Sequence, residues 1–439
     1  MLDSNRVTYH ELQHWRNSLL PGKHIVRRFF RDNLVILVLL NVANIFNYLF
    51  QIIVARNLNP EDYGSFNALN SLAVVLLTPV DVLAYVYSKF TVQLSLDRYE
   101  AIKTLAVKGL KGIMVVACVA ILAATVYHPW VKRYLHLESS IPIVIMMTLV
   151  ILSFQLPLLL GLIQGLRRFT TLGWGLSLNI YVRFFACVLF VPILGMGVNG
   201  ALIAGVLGVL GATLYILWVL RDVLRMPGAE LPEGIFGTMW KYALPVFFTT
   251  GMVIMLGNLD VVLVRHYCSP TEAGYYATGA ILGRVAFYLP GVLISVLFPE
   301  TARAKQSGQD SRKFLWVSFL MTAFLGGGVA LVCNIWGEWI IQVLYGAKYM
   351  GAGDLLGVIS AAMALLALAN VMFTYLLARS EFKYLWFLVS GVVLMLSAIA
   401  LFHDTAMMVA KTVLISMFLI LSGTLATYLI PGKRLVVST

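Results

Sequence analysis

Ala55-Arg56-Asn57-Leu58-Asn59-Pro60-Glu61-Asp62-Tyr63-Gly64 and Val264-Arg265-His266-Tyr267-Cys268-Ser269-Pro270-Thr271-Glu272-Ala273-Gly274 share one pattern. Arg, Pro, an acidic residue and Gly recur with a period near 210 and one inserted residue. Each copy follows one long apolar run and precedes another. Farther on, Arg168-Phe169 is echoed by Arg379-Ser380-Glu381-Phe382 at a similar offset. Pro and Gly punctuate any short loop, but two echoes at one period, between equivalent runs, read as a duplicated chain.

The flanking runs identify the solvent. Of 439 residues 60% are apolar and 12% charged, and the mean hydropathy is +0.87. An ordinary soluble domain carries about 25% charged residues, so a soluble multidomain protein is excluded and lipid must surround most of the chain. A helix needs roughly 20 apolar residues to cross about 30 Å of hydrocarbon. Such runs lie near 33–55, 65–90, 107–127, 141–163, 171–193 and 199–220, then near 242–264, 274–298, 313–335, 352–377, 384–402 and 405–429. The expected fold is an all-α integral membrane protein of about 12 transmembrane helices. Its expected divisions are an N-terminal segment (1–32), a six-helix bundle (33–220), a linker (221–241), a second six-helix bundle (242–429) and a tail (430–439). A repeat of six spans, an even number, gives parallel halves related by an axis along the membrane normal, the arrangement of alternating-access transporters. Two pseudo-symmetric six-helix bundles follow.

The net charge of +12 records topology. With the N-terminus inside, 24 of the 32 Lys and Arg fall on cytoplasmic segments and six outside. Arg183 and Arg284 lie within spans. Basic residues accumulate in cytoplasmic loops, so both termini are expected in the cytoplasm. This account needs no nucleic-acid partner. The first 32 residues are polar and basic, and the first apolar run is long enough to stay as a span, which reads against a cleaved leader. Cys118, Cys187, Cys268 and Cys333 show no CxxC or CxxH spacing, so neither a zinc site nor a disulfide framework is expected. No GxxxxGK[ST] is present, so the chain carries no nucleotide motor of that type.

Ionisable groups inside a span usually face a cavity or a partner. Arg284 lies ten residues beyond Gly274, about 15 Å deep at 1.5 Å per residue, close to the midplane. Its guanidinium can grip a phosphate or pyrophosphate bidentately; the competing reading is an ion pair with Asp260. Arg183, in the fifth span, reaches the outer interface more easily. The second span carries Asn67, Asn70, Ser71, Thr78, Asp81, Tyr85 and Ser88 on one helical face, with Asp81 nearer the cytoplasmic mouth. Asn41, Asn44, Asn47 and Gln51 form a second stripe on the first span. Such stripes serve either interhelical hydrogen bonding or a hydrated cavity wall. The candidate cavity residues are Arg284, Arg183, Asp81, Asp260, Asn47, Gln51, Asn70, Tyr85, Asn258 and Tyr288.

The run Asn44-Ile45-Phe46-Asn47 through Arg56 and Pro60–Gly64 resembles the opening of bacterial polysaccharide-biosynthesis flippases of the multidrug/oligosaccharidyl-lipid/polysaccharide exporter superfamily. Gly257-Asn258-Leu259-Asp260, Glu272-Ala273-Gly274-Tyr275-Tyr276 and Leu344-Tyr345-Gly346-Ala347-Lys348-Tyr349 resemble later junctions of that family. The resemblance implies two six-helix bundles around a central cavity and ATP-independent transport of a polyprenyl-pyrophosphate-linked glycan across the bacterial cytoplasmic membrane. It implies no bound cofactor, a proton or sodium gradient or the membrane potential as driving force, and other polysaccharide-assembly membrane proteins as candidate partners. Two alternatives stand beside it. One is a cation-coupled drug exporter of the same superfamily, expected to place carboxylates deep in the core. The other is a membrane glycosyltransferase or polymerase, for which the outer loops near 128–140 and 336–351 are too short and offer no paired carboxylates.

Overall fold

The computed structural model describes residues 39, 42–291, 297, 301, 310–379, 381 and 383–429. Its elements are helical: α1 (42–57), α2 (Pro60–Asp97), α3 (Ala101–Tyr134), α4 (Ile141–Ser153), α5 (Gln155–Gly165), α6 (Phe169–Val188) and α7 (Gly197–Val219). A short α8 (Arg221–Arg225) leads to α9 (Ile235–Leu256), α10 (Leu259–Tyr267), α11 (Pro270–Gly283), α12 (Val285–Tyr288), α13 (Arg312–Leu344), α14 (Gly353–Ala378), α15 (Tyr384–Leu401) and α16 (Ala406–Leu429). Ten described segments are long and apolar enough to cross a membrane. The first and eighth expected spans run into residues outside the description, as do Asn41 and the expected N-terminal segment and tail.

The repeated motif acts first as a pair of helix starts. Asn59 caps α2 by accepting from the Asp62 N–H at 2.7 Å, with Pro60 in the first turn and Glu61 and Asp62 behind it. Ser269 caps α11 in a reciprocal box with Glu272, again with Pro270 in the first turn. Both devices satisfy amide groups that a helix leaves free at its N-terminus, and both put acid where the helix dipole favours it.

The two starts pack against each other. A Cβ added at Gly274 would stand 2.0 Å from the Pro60 carbonyl oxygen, and one at Gly64 would stand 2.8 Å from the Gly274 nitrogen. Only glycine lets two backbones approach this closely. Thr271 Oγ1 also donates to Glu61 Oε1 at 3.2 Å. Residues one repeat apart therefore touch, which places the axis relating the two lobes through this crossing. The end of the molecule that carries it is the repeat face; the opposite end, with α8, is the linker face.

Three apolar clusters hold the lobes. Val86, Tyr87, Leu158, Leu162 and Ile216 build the N-terminal lobe near the linker face. Tyr276, Ile359, Met363, Phe373, Met395 and Val413 build the C-terminal lobe. The third is shared: Phe50, Tyr63 and Leu69 pack with Ile341, Tyr345, Tyr349 and Leu356 at the repeat face. The rings of Tyr63, Tyr345 and Tyr349 meet pairwise, with centroids 5.6–6.0 Å apart. The α9 helix belongs to both sides. Ile235, Met239 and Ala243 join the N-terminal cluster, whereas Val253 and Leu256 join the C-terminal one.

The linker is tied to the N-terminal lobe. Lys103 Nζ donates to the Met226 carbonyl and Thr104 Oγ1 to the Ala229 carbonyl, each at 2.7 Å. Arg168 pairs through both Nη atoms with the Asp222 carboxylate. Partial burial pushes the Asp222 carboxyl up, but the hydrogen bonds from Arg168 and the Val223 N–H outweigh it and hold it below the ordinary range.

Candidate functional site

Among the described residues, the seventh and eighth spans break where candidate residues lie. The seventh span stops at Gly257 and restarts at Leu259, so Asn258 takes the cap position between α9 and α10 and returns its Nδ2 to the Ile254 carbonyl at 2.9 Å. Asp260 consequently sits in the first turn of α10, where the helix dipole favours a negative charge. The eighth span breaks between α11 and α12, and Arg284 is the hinge residue.

Asp260 is 0% exposed and accepts from Tyr276 Oη at 2.8 Å through Oδ2; its Oδ1 is buried without a hydrogen-bond partner. Arg284 lies within electrostatic range of Asp260, Tyr276 and Tyr48, yet no ion pair forms between Arg284 and Asp260. Tyr276, reached across a helix–helix contact, occupies the acid instead. The Nε and Nη2 atoms of Arg284 are buried with no hydrogen-bond partner. An unpaired buried guanidinium is a high-energy arrangement, and here it stands beside Tyr48 of α1 and Tyr288, which is 60% exposed. The site therefore presents free N–H donors next to two phenols between α1 and the α11–α12 break.

Arg183 is placed elsewhere. Its guanidinium carbon lies 3.9 Å from the centroid of the Phe50 ring, a cation–π contact inside the N-terminal lobe. Helix α1 stands between the two arginines, with Tyr48 near Arg284 and Phe50 under Arg183.

The polar stripe of α2 divides along its length. Asn67, Ser71 and Thr78 are buried; Asn67 Nδ2 donates to the Tyr63 carbonyl at 2.9 Å and Thr78 Oγ1 to the Val74 carbonyl at 3.1 Å. Gln51 accepts from Tyr63 Oη at 3.3 Å behind the tyrosine cluster. Asn67, Ser71 and Gln51 are spent on packing toward the repeat face, whereas Thr78 lies roughly 27 Å from the start of α2 and bonds back within it. Asn47, Asn70 and Asp81 are half-buried, Asn44 is exposed, and Tyr85 is 56% exposed. The open part of the stripe is thus the part toward the linker face. There Lys89 Nζ sits 3.8 Å from the centroid of the Tyr242 ring of α9. A cavity of about 650 Å³ follows, lined by Phe90, Gln93, Leu94, Arg98, Pro232, Glu233, Ile235 and Thr238. Among the described residues no group of His, Cys, Asp and Glu has the makings of a metal site. Sequence reading did not find Tyr48 and Tyr276, because both act across helix contacts that no local spacing encodes.

Residues 30–305 match the family described as polysaccharide biosynthesis protein, more than half of the chain. The chain belongs to that family. No curated protein sequence matches it. Among solved structures, this polysaccharide biosynthesis family member is similar to an inward-facing multidrug resistance MATE transporter of the MOP superfamily. The TM-score is 0.75 at 12% identity, over 88% of this chain and 94% of that one. The lipid II flippase MurJ in an inward closed conformation follows at TM-score 0.69 and 11% identity, over 90% and 87%. A MOP superfamily transporter from Pyrococcus furiosus, described as having a binding pocket of reversed polarity, gives 0.58 and 12%, over 91% and 94%. At these identities the likeness establishes the fold, two helical lobes in a multi-pass membrane protein.

Proposed function

We propose that this protein is a flippase that moves a polyprenyl-pyrophosphate-linked glycan across the bacterial cytoplasmic membrane by alternating access, without catalysing a reaction. The observation that carries the reading is Arg284, which holds two buried nitrogens without partners at a helix break between the lobes. A cargo pyrophosphate supplies the missing acceptors, and the guanidinium fork suits it. Tyr48, Tyr288, Tyr85 and the half-buried Asn47 and Asn70 supply neutral partners for sugar hydroxyls. Asp81 belongs to the same wall. The linker face, with its clustered basic residues, is the cytoplasmic side. The lobes are shut at the repeat face, which supports a state that loads from the linker face. A proton or sodium gradient or the membrane potential resets it. Arg284 disfavours a cationic drug as cargo, which sets this reading ahead of drug export.

The test is export of the lipid-linked glycan by cells carrying Arg284 variants, with thermal stability in detergent measured alongside. Arg284→Lys keeps a charge but loses the fork, so most export is lost; Arg284→Ala loses all of it while the protein still inserts and folds. Wild-type export by Arg284→Ala refutes the cargo role.

A further inference from the structure

At the repeat face the C-terminal turn of each lobe's third helix is capped by an arginine of the other lobe. Arg56, at the end of α1, donates through Nε to the Leu344 carbonyl at 2.9 Å and through Nη2 to the Val343 carbonyl at 2.7 Å. Arg265, near the end of α10, donates through Nε to the Leu135 carbonyl at 3.1 Å and through Nη2 to the His136 carbonyl at 3.5 Å. Its neighbour His266 donates through Nδ1 to the Tyr134 carbonyl at 2.8 Å and stacks on the Tyr134 ring at 3.8 Å. Arg56 and Arg265 stand 209 positions apart, and so do Leu135 and Leu344, and Tyr134 and Val343. The Nε bond is therefore made twice, in opposite directions, across the axis of the repeat, while the Tyr134 carbonyl, counterpart of Val343, is bonded by His266 instead of Arg265.

The chemistry suits the geometry. The last four carbonyls of a helix have no partner within it and carry the negative end of its dipole. A guanidinium fork can satisfy two of them at once. Both ends of each clasp are backbone or a fixed charge, so the contact reports how the lobes sit and needs no particular side chain on the capped helix. Tyr349 Oη adds bonds to the Ala55 and Leu58 carbonyls at 3.0 and 3.2 Å, and Lys348 Nζ donates to the Arg56 carbonyl at 2.8 Å. The clasps differ in depth: Arg265 is 6% exposed, whereas Arg56 is exposed. The more exposed Arg56 makes the shorter bonds, whereas the buried Arg265 makes longer ones and keeps its Nη1 buried without a partner.

We infer that Arg56 and Arg265 form a two-point latch that holds the lobes shut at the repeat face, and that both clasps must release before the cavity opens on that side. The inference rests on the lobes moving as the proposed transport requires, but its test involves no cargo. In full-length protein with Cys118, Cys187, Cys268 and Cys333 replaced by Ala, one reporter cysteine is placed at a time. Asn67→Cys is 4% exposed in the wild type and lies beneath the seal; Tyr85→Cys is 56% exposed toward the linker face. A membrane-impermeant maleimide is applied from each side, in cells and in inverted vesicles. In the double variant Arg56→Ala/Arg265→Ala, labelling at position 67 from the repeat face should rise at least fivefold, and labelling at position 85 from the linker face should fall. Either single alanine variant should shift both positions less than the double variant does. The pair Arg56→Lys/Arg265→Lys keeps charge and stem and should give the same reciprocal shift at smaller size, which covers a double alanine variant that does not fold. Unchanged labelling at position 67 overturns the latch. A rise at both positions together overturns it too, because that is loosening of the fold rather than a change of state. Either failure leaves the Arg284 export test untouched.

Discussion

Gly274→Ala tests the crossing on which the closed face depends. Its new methyl would lie 2.0 Å from the Pro60 carbonyl oxygen, 2.5 Å from its carbonyl carbon and 2.8 Å from its Cα, all backbone atoms. Ordinary contact begins near 3.4 Å, so the start of α2 must retreat by about 1.4 Å. That retreat is opposed on every side. Pro60 follows directly on the segment whose carbonyls are held by Tyr349 and Lys348, and Asn59 is committed to capping α2. Overpacking against yielding side chains costs about 1–3 kcal/mol; with backbone as the obstacle, the upper end of about 3 kcal/mol applies here. At about 1–2 °C per kcal/mol, for a chain larger than those usually surveyed, the melting temperature should fall by roughly 3–6 °C. The assay is thermal unfolding of detergent-purified protein by tryptophan fluorescence. Gly112→Ala in α3 is the control, because nothing lies within 4 Å of its added Cβ. Removing a helical glycine there should be neutral or should stabilise by about 0.5–1 kcal/mol. If Gly274→Ala melts together with Gly112→Ala, the crossing does not carry the closure, and the placement of the axis is wrong.

Tyr276→Phe removes the donor from the fully buried Asp260 and should cost about 1–3 kcal/mol. In a double-mutant cycle with Asp260→Asn the two losses should be clearly non-additive; additive losses in thermal stability would deny the pair. Asp222 gives a pH dependence. Its carboxyl is held below the ordinary 3.8 by Arg168, so the native state favours the carboxylate. The pair therefore contributes fully above pH 3.8 and its contribution fades as the pH falls from there through the lower folded value. The melting-temperature gap between wild type and Asp222→Asn should be flat from pH 5 to 8 and close only in that acid range; a gap that closes near neutrality would contradict the assignment.

What was legible in the sequence was local or periodic. The caps Asn59 and Ser269 with Glu272, the helix starts at Pro60 and Pro270, and the duplication all follow from residue types at short spacing. The membrane class followed from composition. The partners did not follow. A guanidinium that bonds Leu344 or Leu135 through the main chain leaves no trace in the identity of those residues. The α2 stripe misled in part for a related reason. Asn67, Ser71 and Thr78 share a face with Asp81 and Tyr85, but that face runs first through the packed crossing and only then into open space. Periodicity fixes which side of a helix is polar and says nothing about where along it the neighbour ends.

The pairing pattern also constrains how the lobes can move. Residues one repeat apart can touch only beside the axis, as Gly64 and Gly274 do, and Glu61 and Thr271. The arginine clasps lie off the axis, where a small rotation of one lobe against the other produces a larger displacement. A glycine crossing presents smooth backbone with no interdigitated side chains, so it can part without unthreading. The face thus combines a close backbone contact at the centre with the arginine clasps, the Tyr349 and Lys348 bonds and the packed tyrosines around it. A closure built this way resists small thermal tilts and yields abruptly once these contacts are lost, so the lobes should populate shut and open states with few intermediates between them.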